Sequence, residues 1–290
     1  MKPAEKIPSI VLVHGAWHGA WCWNQTQFDL ALLGRSSIAL DWANHGLQAL
    51  FPKAQTARPF DPVAMATQAS PAIGVSLVEA ATELADRIAA LSHAAGGPVA
   101  VVAHSLGGVL ANAAAELAAQ YISSLIYVCA IAPVRGATAS DYRTARENEG
   151  SRTSDLQTGH PPEIGAARID AADPLAFQRL KETFFDDIDE NLARAAVHFM
   201  TPDVPLRLLR DPVATGDNFG AIPRAYVVCT RDNAFREAAQ YLCIGEMDRA
   251  YPGRRTAVDS LPSSHSPFLS CPADLARLID YYSRDAFRTG

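Results

Sequence analysis

Short apolar runs alternate along the chain with longer stretches whose apolar residues recur at helical spacing. Ile10-Val11-Leu12-Val13 predicts a first strand, and Ser37-Ile38-Ala39-Leu40-Asp41 a second. Phe28 to Gly34 reads as the end of a helix with a glycine stop. Leu77, Ala80, Ala81, Leu84, Ile88 and Leu91 lie on one helical face, and Gly96-Gly97-Pro98 closes that helix. Val99 to Ala103 is a third strand. A helix follows from Leu106 to Tyr121, with Val109, Leu110, Ala113, Ala114, Leu117 and Ala118 on one face. Leu125–Ile131, Ile222–Thr230 and Arg255–Val258 predict three more strands, and Leu275, Leu278, Ile279 and Tyr282 a closing helix. Strands alternating with helices give a mostly parallel six-stranded sheet covered on both faces.

Two stretches depart from this rhythm. Asn44 to Val75 is long and carries Pro52, Pro59, Pro62 and Pro71, the texture of a functional loop or lid. From Pro133 the chain turns polar. Asp173-Pro174 then opens a helix with Phe177, Leu180 and Phe184 on one face. Ile188, Leu192, Ala196 and Phe199 mark another. The expected organisation is a core of residues 1–134 and 216–290 with a helical cap, residues 135–215, inserted into it.

Composition narrows the class. Of 290 residues, 49% are hydrophobic and 19% charged, enough apolar material for a sizeable core. The net charge of −6 and the lack of a basic patch argue against nucleic acid or an anionic membrane surface as partner. No run of about 18 apolar residues predicts a membrane span. Met1 to Pro8 lacks the apolar stretch of a leader peptide. The cysteines Cys22, Cys129, Cys229, Cys243 and Cys271 are odd in number and form no C-x-x-C pair. Free thiols in a reducing, cytoplasmic setting are expected, with no metal site.

The chemistry centres on Ala103-His104-Ser105-Leu106-Gly107. A serine on a sharp strand-to-helix turn holds its hydroxyl clear of the sheet, and the helix start offers backbone N–H groups to an oxyanion. Ala103 stands where such turns usually carry glycine, and is small enough to be tolerated. A serine hydroxyl needs a base, and the base an orienting carboxylate. On such a sheet the chain order is serine, acid, histidine, each just past a strand end. Asp232 follows the fifth strand and His265 the sixth. Asp248 and Asp259 are rival acids, although Asp259 lies close to the sixth strand for a loop carboxylate. Asp232 also suits a helix N-cap. His104 should leave the turn in another direction and support it. His14-Gly15-Ala16-Trp17 follows the first strand, where small residues let backbone approach a ligand.

Together HGAWHGAWCW, AHSLGG, CTRDNAF and SHSPFLS resemble the plant-type methylesterase and hydroxynitrile lyase branch of the α/β-hydrolase fold, with its bacterial esterase-like members. The resemblance spans nearly the whole chain. It implies Ser105 as nucleophile, Asp232 as acid, His265 as base, and the N–H groups of Ala16 and Leu106 as oxyanion hole. The lyase members carry threonine after the first-loop histidine and lysine after the catalytic histidine; this chain has Gly15 and Ser266 there. The expectation is therefore a cofactor-free serine esterase acting on a small or medium hydrophobic ester, thioester or lactone, as a monomer or homodimer. Trp17, Trp21, His45, Phe184 and Phe199 are the expected pocket residues. The alternatives are lyase, cyclase or cofactor-free oxygenase chemistry in the same cleft, or a binding module with a vestigial triad.

Overall fold

The computed structural model describes residues 10–284; the Met1–Pro8 segment lies outside them. Eight strands occur among these residues: β1 (Ile10–Val13), β2 (Ser37–Leu40), β3 (Val99–His104), β4 (Ile122–Val128), β5 (Ala166–Arg168), β6 (Asp203–Pro205), β7 (Arg224–Cys229) and β8 (Ala257–Leu261). Six form one sheet in the order β2-β1-β3-β4-β7-β8, every neighbouring pair parallel. Parallel pairing needs crossovers, and the helices supply them on both faces. Alternate residues feed two cores. Val11, Val13, Val101, Tyr127 and Val228 face one way, and Ile10, Leu12, Val102, Ile126 and Val227 the other. The first core takes the Leu77–Ala95, Gly107–Ala118 and Glu237–Ala250 helices, the second the Asn24–Leu32 and Pro272–Ser283 helices. The fold is that of an α/β hydrolase.

Several elements sit differently from the sequence expectation. β4 begins three residues earlier, because Ser124 is buried and its hydroxyl donates to the Tyr282 carbonyl. β8 runs to Leu261, so Asp259 is a strand residue whose carboxylate accepts from the Tyr282 hydroxyl at 2.6 Å. In the Gly107–Ala118 helix Leu117 is exposed, while Ala111, Asn112 and Ala115, off the expected face, are buried. This helix is enclosed between the sheet and its neighbours, so burial extends beyond one stripe. The 44–75 stretch contains the short Lys53–Thr56 and Pro62–Thr67 helices. The 135–215 segment is not purely helical: β5 and β6 pair antiparallel within it.

That strand pair is held by a charge pair no periodicity reveals. Arg168 and Asp203 are both fully buried and meet through two hydrogen bonds of 2.6 and 2.7 Å. Arg168 also donates to the carbonyls of Met65 and Gln68, tying the strand pair to the 44–75 stretch.

Candidate active site

The carboxyl ends of β1, β3, β7 and β8 open onto one edge of the sheet, and the loops leaving them converge there. Ser105 follows β3 with φ 51°, a left-handed conformation rare for a residue with a Cβ. Its backbone is pinned to the end of β4: its N–H donates to Val128 O (3.1 Å), and Ile131 N–H donates to its carbonyl (3.0 Å). The turn is tight because its neighbours are small. A Cβ on Gly107 would lie 2.6 Å from the His14 carbonyl, and one on Gly15 would lie 2.6 Å from the Ser105 Cβ. Glycine at both positions lets the first loop lie against the serine turn.

Ser105, His265 and Asp232 form a continuous line of hydrogen bonds. Ser105 Oγ lies 2.9 Å from His265 Nε2, and His265 Nδ1 lies 2.6 Å from Asp232 Oδ2. The carboxylate can only accept, so Nδ1 carries the proton and Nε2 is free to take one from the serine. Its other oxygen accepts from Ala234 N–H and Phe235 N–H, closing the turn after β7. Asp232 is not a helix N-cap: the following helix begins at Glu237, with Arg236 in the cap position. The rival acids are engaged elsewhere: Asp259 with Tyr282, and Asp248 with the Thr256 N–H and hydroxyl. Ser105 is 8% exposed, and both partners are more deeply buried.

Two residues that sequence reasoning passed over steady this line. Asp187 accepts from the Ser264 N–H and hydroxyl, fixing the segment just before His265. Gln240 spans the Asp232 turn, donating to the Cys229 and Phe235 carbonyls and accepting from Cys229 N–H. Neither carries a motif; each acts through a contact distant in sequence. His104 donates from Nε2 to the backbone carbonyl of His265 at 2.8 Å and points away from the serine hydroxyl.

The first loop is stapled by imidazoles. His18 Nδ1 donates to the Ala16 carbonyl (2.7 Å), and Trp17 N–H donates to His45 Nε2 (3.1 Å). Among the described residues, the N–H groups of Ala16 and Leu106 have no acceptor, and both residues line the cavity beside Ser105. Burial lowers the pKa of His14 to about 3 and of His18 to about 4, and holds His45 and His104 well below the usual imidazole value. These rings are neutral near pH 7, so a cation forming on His265 meets no adjacent imidazolium.

The cavity is narrow, with about 30 Å³ free for water-sized groups inside about 440 Å³ of space that includes its open mouth. Trp17, Ile131, Phe184, Val204, Leu209 and Phe235 supply its apolar walls. Three of the five expected pocket residues lie outside it. His45 is fully buried behind the first loop as an acceptor for Trp17. Trp21 stacks on His18, and Phe199 is 62% exposed against the outer side of Trp21. Phe199 is the C-cap residue just after the Glu190–His198 helix, two positions beyond Val197, the last of the buried Ala193, Ala196 and Val197 stripe. A second, wider hollow between the 55–65 and 158–174 stretches contains none of the three hydrogen-bonded residues. His104, Cys129 and His265 bring potential metal-ligating atoms within 4.8 Å of one another. Both nitrogens of His265 are already engaged, however, and His104 Nε2 and Cys129 Sγ both bond the His265 carbonyl.

The sequence profile of the alpha/beta hydrolase family matches residues 10–278. Among characterised proteins, methyl jasmonate esterase 1 of Vitis vinifera is 29% identical over 94% of this chain and 97% of its own length. Methylesterase 2 of Arabidopsis thaliana is 25% identical over 94% of each chain. Among solved structures, a pyrethroid hydrolase from Sphingobium faniae superposes with a TM-score of 0.72 at 24% identity, covering 96% of this chain and 98% of that one. Polyneuridine aldehyde esterase superposes with a TM-score of 0.70 at 19% identity, covering 96% and 99%.

Proposed function

The chain belongs to the alpha/beta hydrolase family, and from that membership we propose that it is a cofactor-free serine esterase cleaving small or medium hydrophobic carboxylic esters. The observation that carries this reading is the Ser105–His265–Asp232 line. His265 Nε2 takes the hydroxyl proton as Ser105 Oγ attacks the ester carbonyl. The tetrahedral oxyanion is received by the free N–H groups of Ala16 and Leu106; such a donor is typically worth ~10²–10³ in rate. His265 returns the proton to the leaving alkoxide, giving an acyl-enzyme and an alcohol. The same imidazole then activates water, which releases the acid and restores Ser105. Asp232 holds the tautomer and supports the imidazolium.

The relatives named as methylesterases favour the same reaction. In this reading residues 135–215 form the cap over a core of residues 1–134 and 216–290, and Trp17 and Phe184 shape the acyl or alcohol site. No helix among the described residues is long and apolar enough to cross a membrane. The five free thiols support a cytoplasmic setting. The test is labelling with a fluorophosphonate, followed by peptide mapping. The label is expected on Ser105 and absent from folded Ser105→Ala, which also loses hydrolysis of a phenyl ester. Labelling elsewhere, or wild-type turnover by Ser105→Ala, overturns the proposal.

A further inference from the structure

The triad uses one part of the cavity; another part carries a charge that the triad does not use. Arg143, the last residue of the Ala139–Arg143 helix, lines the cavity that holds Ser105 and His265. It also lines an adjoining outer hollow with Ser140, Thr144, Asn148 and Ser151. Among the described residues its guanidinium has no hydrogen bond, ion pair or aromatic partner; the Asn148 side chain donates to its backbone carbonyl instead. Other buried or half-buried arginines are matched. Arg168 meets Asp203, Arg35 meets Asp280 and Ser283, and Arg224 donates to backbone carbonyls.

The surroundings favour an incoming anion. Neither the cavity nor the outer hollow is lined by an aspartate or glutamate among the described residues. Glu246, a carboxylate of the neighbouring Glu237–Ala250 helix, is taken by the Tyr142 hydroxyl and by Arg249. Arg143 is half-buried, and partial loss of water with no counter-ion among the described residues draws its guanidinium below the usual arginine range. Thr153 lines both spaces too, but its hydroxyl faces Ser151 at 3.0 Å, and Ser151 donates to the Ala234 carbonyl at 2.7 Å. The Thr153 hydroxyl therefore donates its hydrogen bond to Ser151, and Arg143 is the group left to bind an anion. A guanidinium presents a planar fork of donors that fits a carboxylate through two parallel bonds.

We propose that Arg143 reads a carboxylate carried by the substrate, so that the preferred ester bears a second, negatively charged group away from its reacting carbonyl. This deepens the esterase reading and rests on it for turnover. The carboxylate sits on the acyl side or the alcohol side, and two matched pairs separate these. Phenyl hydrogen glutarate against phenyl hexanoate places the charge on the acyl side. Para-carboxyphenyl hexanoate against para-carbamoylphenyl hexanoate places it on the alcohol side.

The quantity read is the anionic-to-neutral ratio of kcat/KM in wild type, Arg143→Met and Arg143→Lys. In one pair the ratio is expected to fall roughly 10- to 100-fold in Arg143→Met and to be partly kept in Arg143→Lys, the range of one charge-assisted contact. Melting temperatures and the neutral ester report folding. A ratio unchanged in both pairs, with hydrolysis still dependent on Ser105, overturns the Arg143 proposal and leaves the esterase standing. A binding measurement covers failure of the esterase reading. Calorimetric titration of Ser105→Ala should show one anionic ester of the two pairs binding more tightly than its neutral partner. The difference should vanish in Ser105→Ala/Arg143→Met. Equal binding of anionic and neutral partners in both pairs overturns the proposal whether or not the wild type turns over.

Discussion

Ser105 holds a backbone conformation that its side chain disfavours, and the cost is offset by fixing its hydroxyl 2.9 Å from an imidazole whose other nitrogen is already committed. The residue on which that commitment depends is Asp232. Asp232→Asn offers an amide that can donate to His265 Nδ1, moving the proton to Nε2, the wrong nitrogen for a base. Its kcat is expected to fall by ~10³–10⁴, against ~10⁴ for the comparable change in a serine protease. Asp248→Asn and Asp259→Asn, whose carboxylates bond Thr256 and Tyr282, should keep kcat close to wild type. Steady-state kinetics on one phenyl ester decides this, and a larger loss at Asp259 than at Asp232 would move the acid. Ser105 and Asp232 are legible because each follows an apolar run, His265 because it follows the last strand, and strand ends on a parallel sheet share an edge. Asp187 and Arg143 are not, because a polar residue in a loop or on a short helix carries no period, and Gln240 is not, because a buried polar residue on a longer helix breaks the apolar stripe.

At the scale of elements, the antiparallel β5–β6 pair shows where sequence patterning runs out. Each of its strands has three residues, too few for alternation to register, and they pair across a long interval of chain. Arg168 reads as a surface residue until its partner is known. Removing one member strands a buried charge: Arg168→Met or Asp203→Asn is expected to destabilise by ~3–5 kcal/mol. Replacing both, as Arg168→Met/Asp203→Leu, should recover most of that loss, since no lone charge remains. Urea unfolding of the three variants tests this, and additive losses in the double variant would contradict it. The strands of the main sheet were legible because β1, β3 and β7 are buried on both faces and so read as continuous apolar runs. β4 and β8 were displaced in the sequence reading because each includes polar residues whose partners, Tyr282 in both cases, lie on another element. Phe199 was misplaced for a related reason. It follows the last turn of its helix, off the buried Ala193, Ala196 and Val197 stripe, a difference a loose aromatic pattern does not resolve.

The whole molecule couples its stability to the neutral histidines around the site. An unfolded chain protonates imidazoles as pH falls through about 6.5. The folded chain holds His14 at about 3 and His18 at about 4, with His45 and His104 also well below the ordinary value. Between those limits the unfolded state binds more protons, so stability is complete above pH 6.5 and is lost as pH falls toward 4. Each such histidine adds a slope of up to ~1.4 kcal/mol per pH unit. Urea midpoints should therefore drop steeply from pH 7 to pH 5, and an unchanged midpoint would contradict buried neutral rings. The same packing that excludes protons from these rings brings the ends of β3, β7 and β8 together, with Ser105 at the point where they meet. Rapid acid quench during hydrolysis of phenyl hexanoate, followed by intact and peptide mass analysis, observes it directly. A hexanoyl group on the Ser105 peptide, forming before steady state and absent in Ser105→Ala, is the predicted result. Turnover with no acyl adduct on Ser105, or with the adduct on another residue, would contradict it.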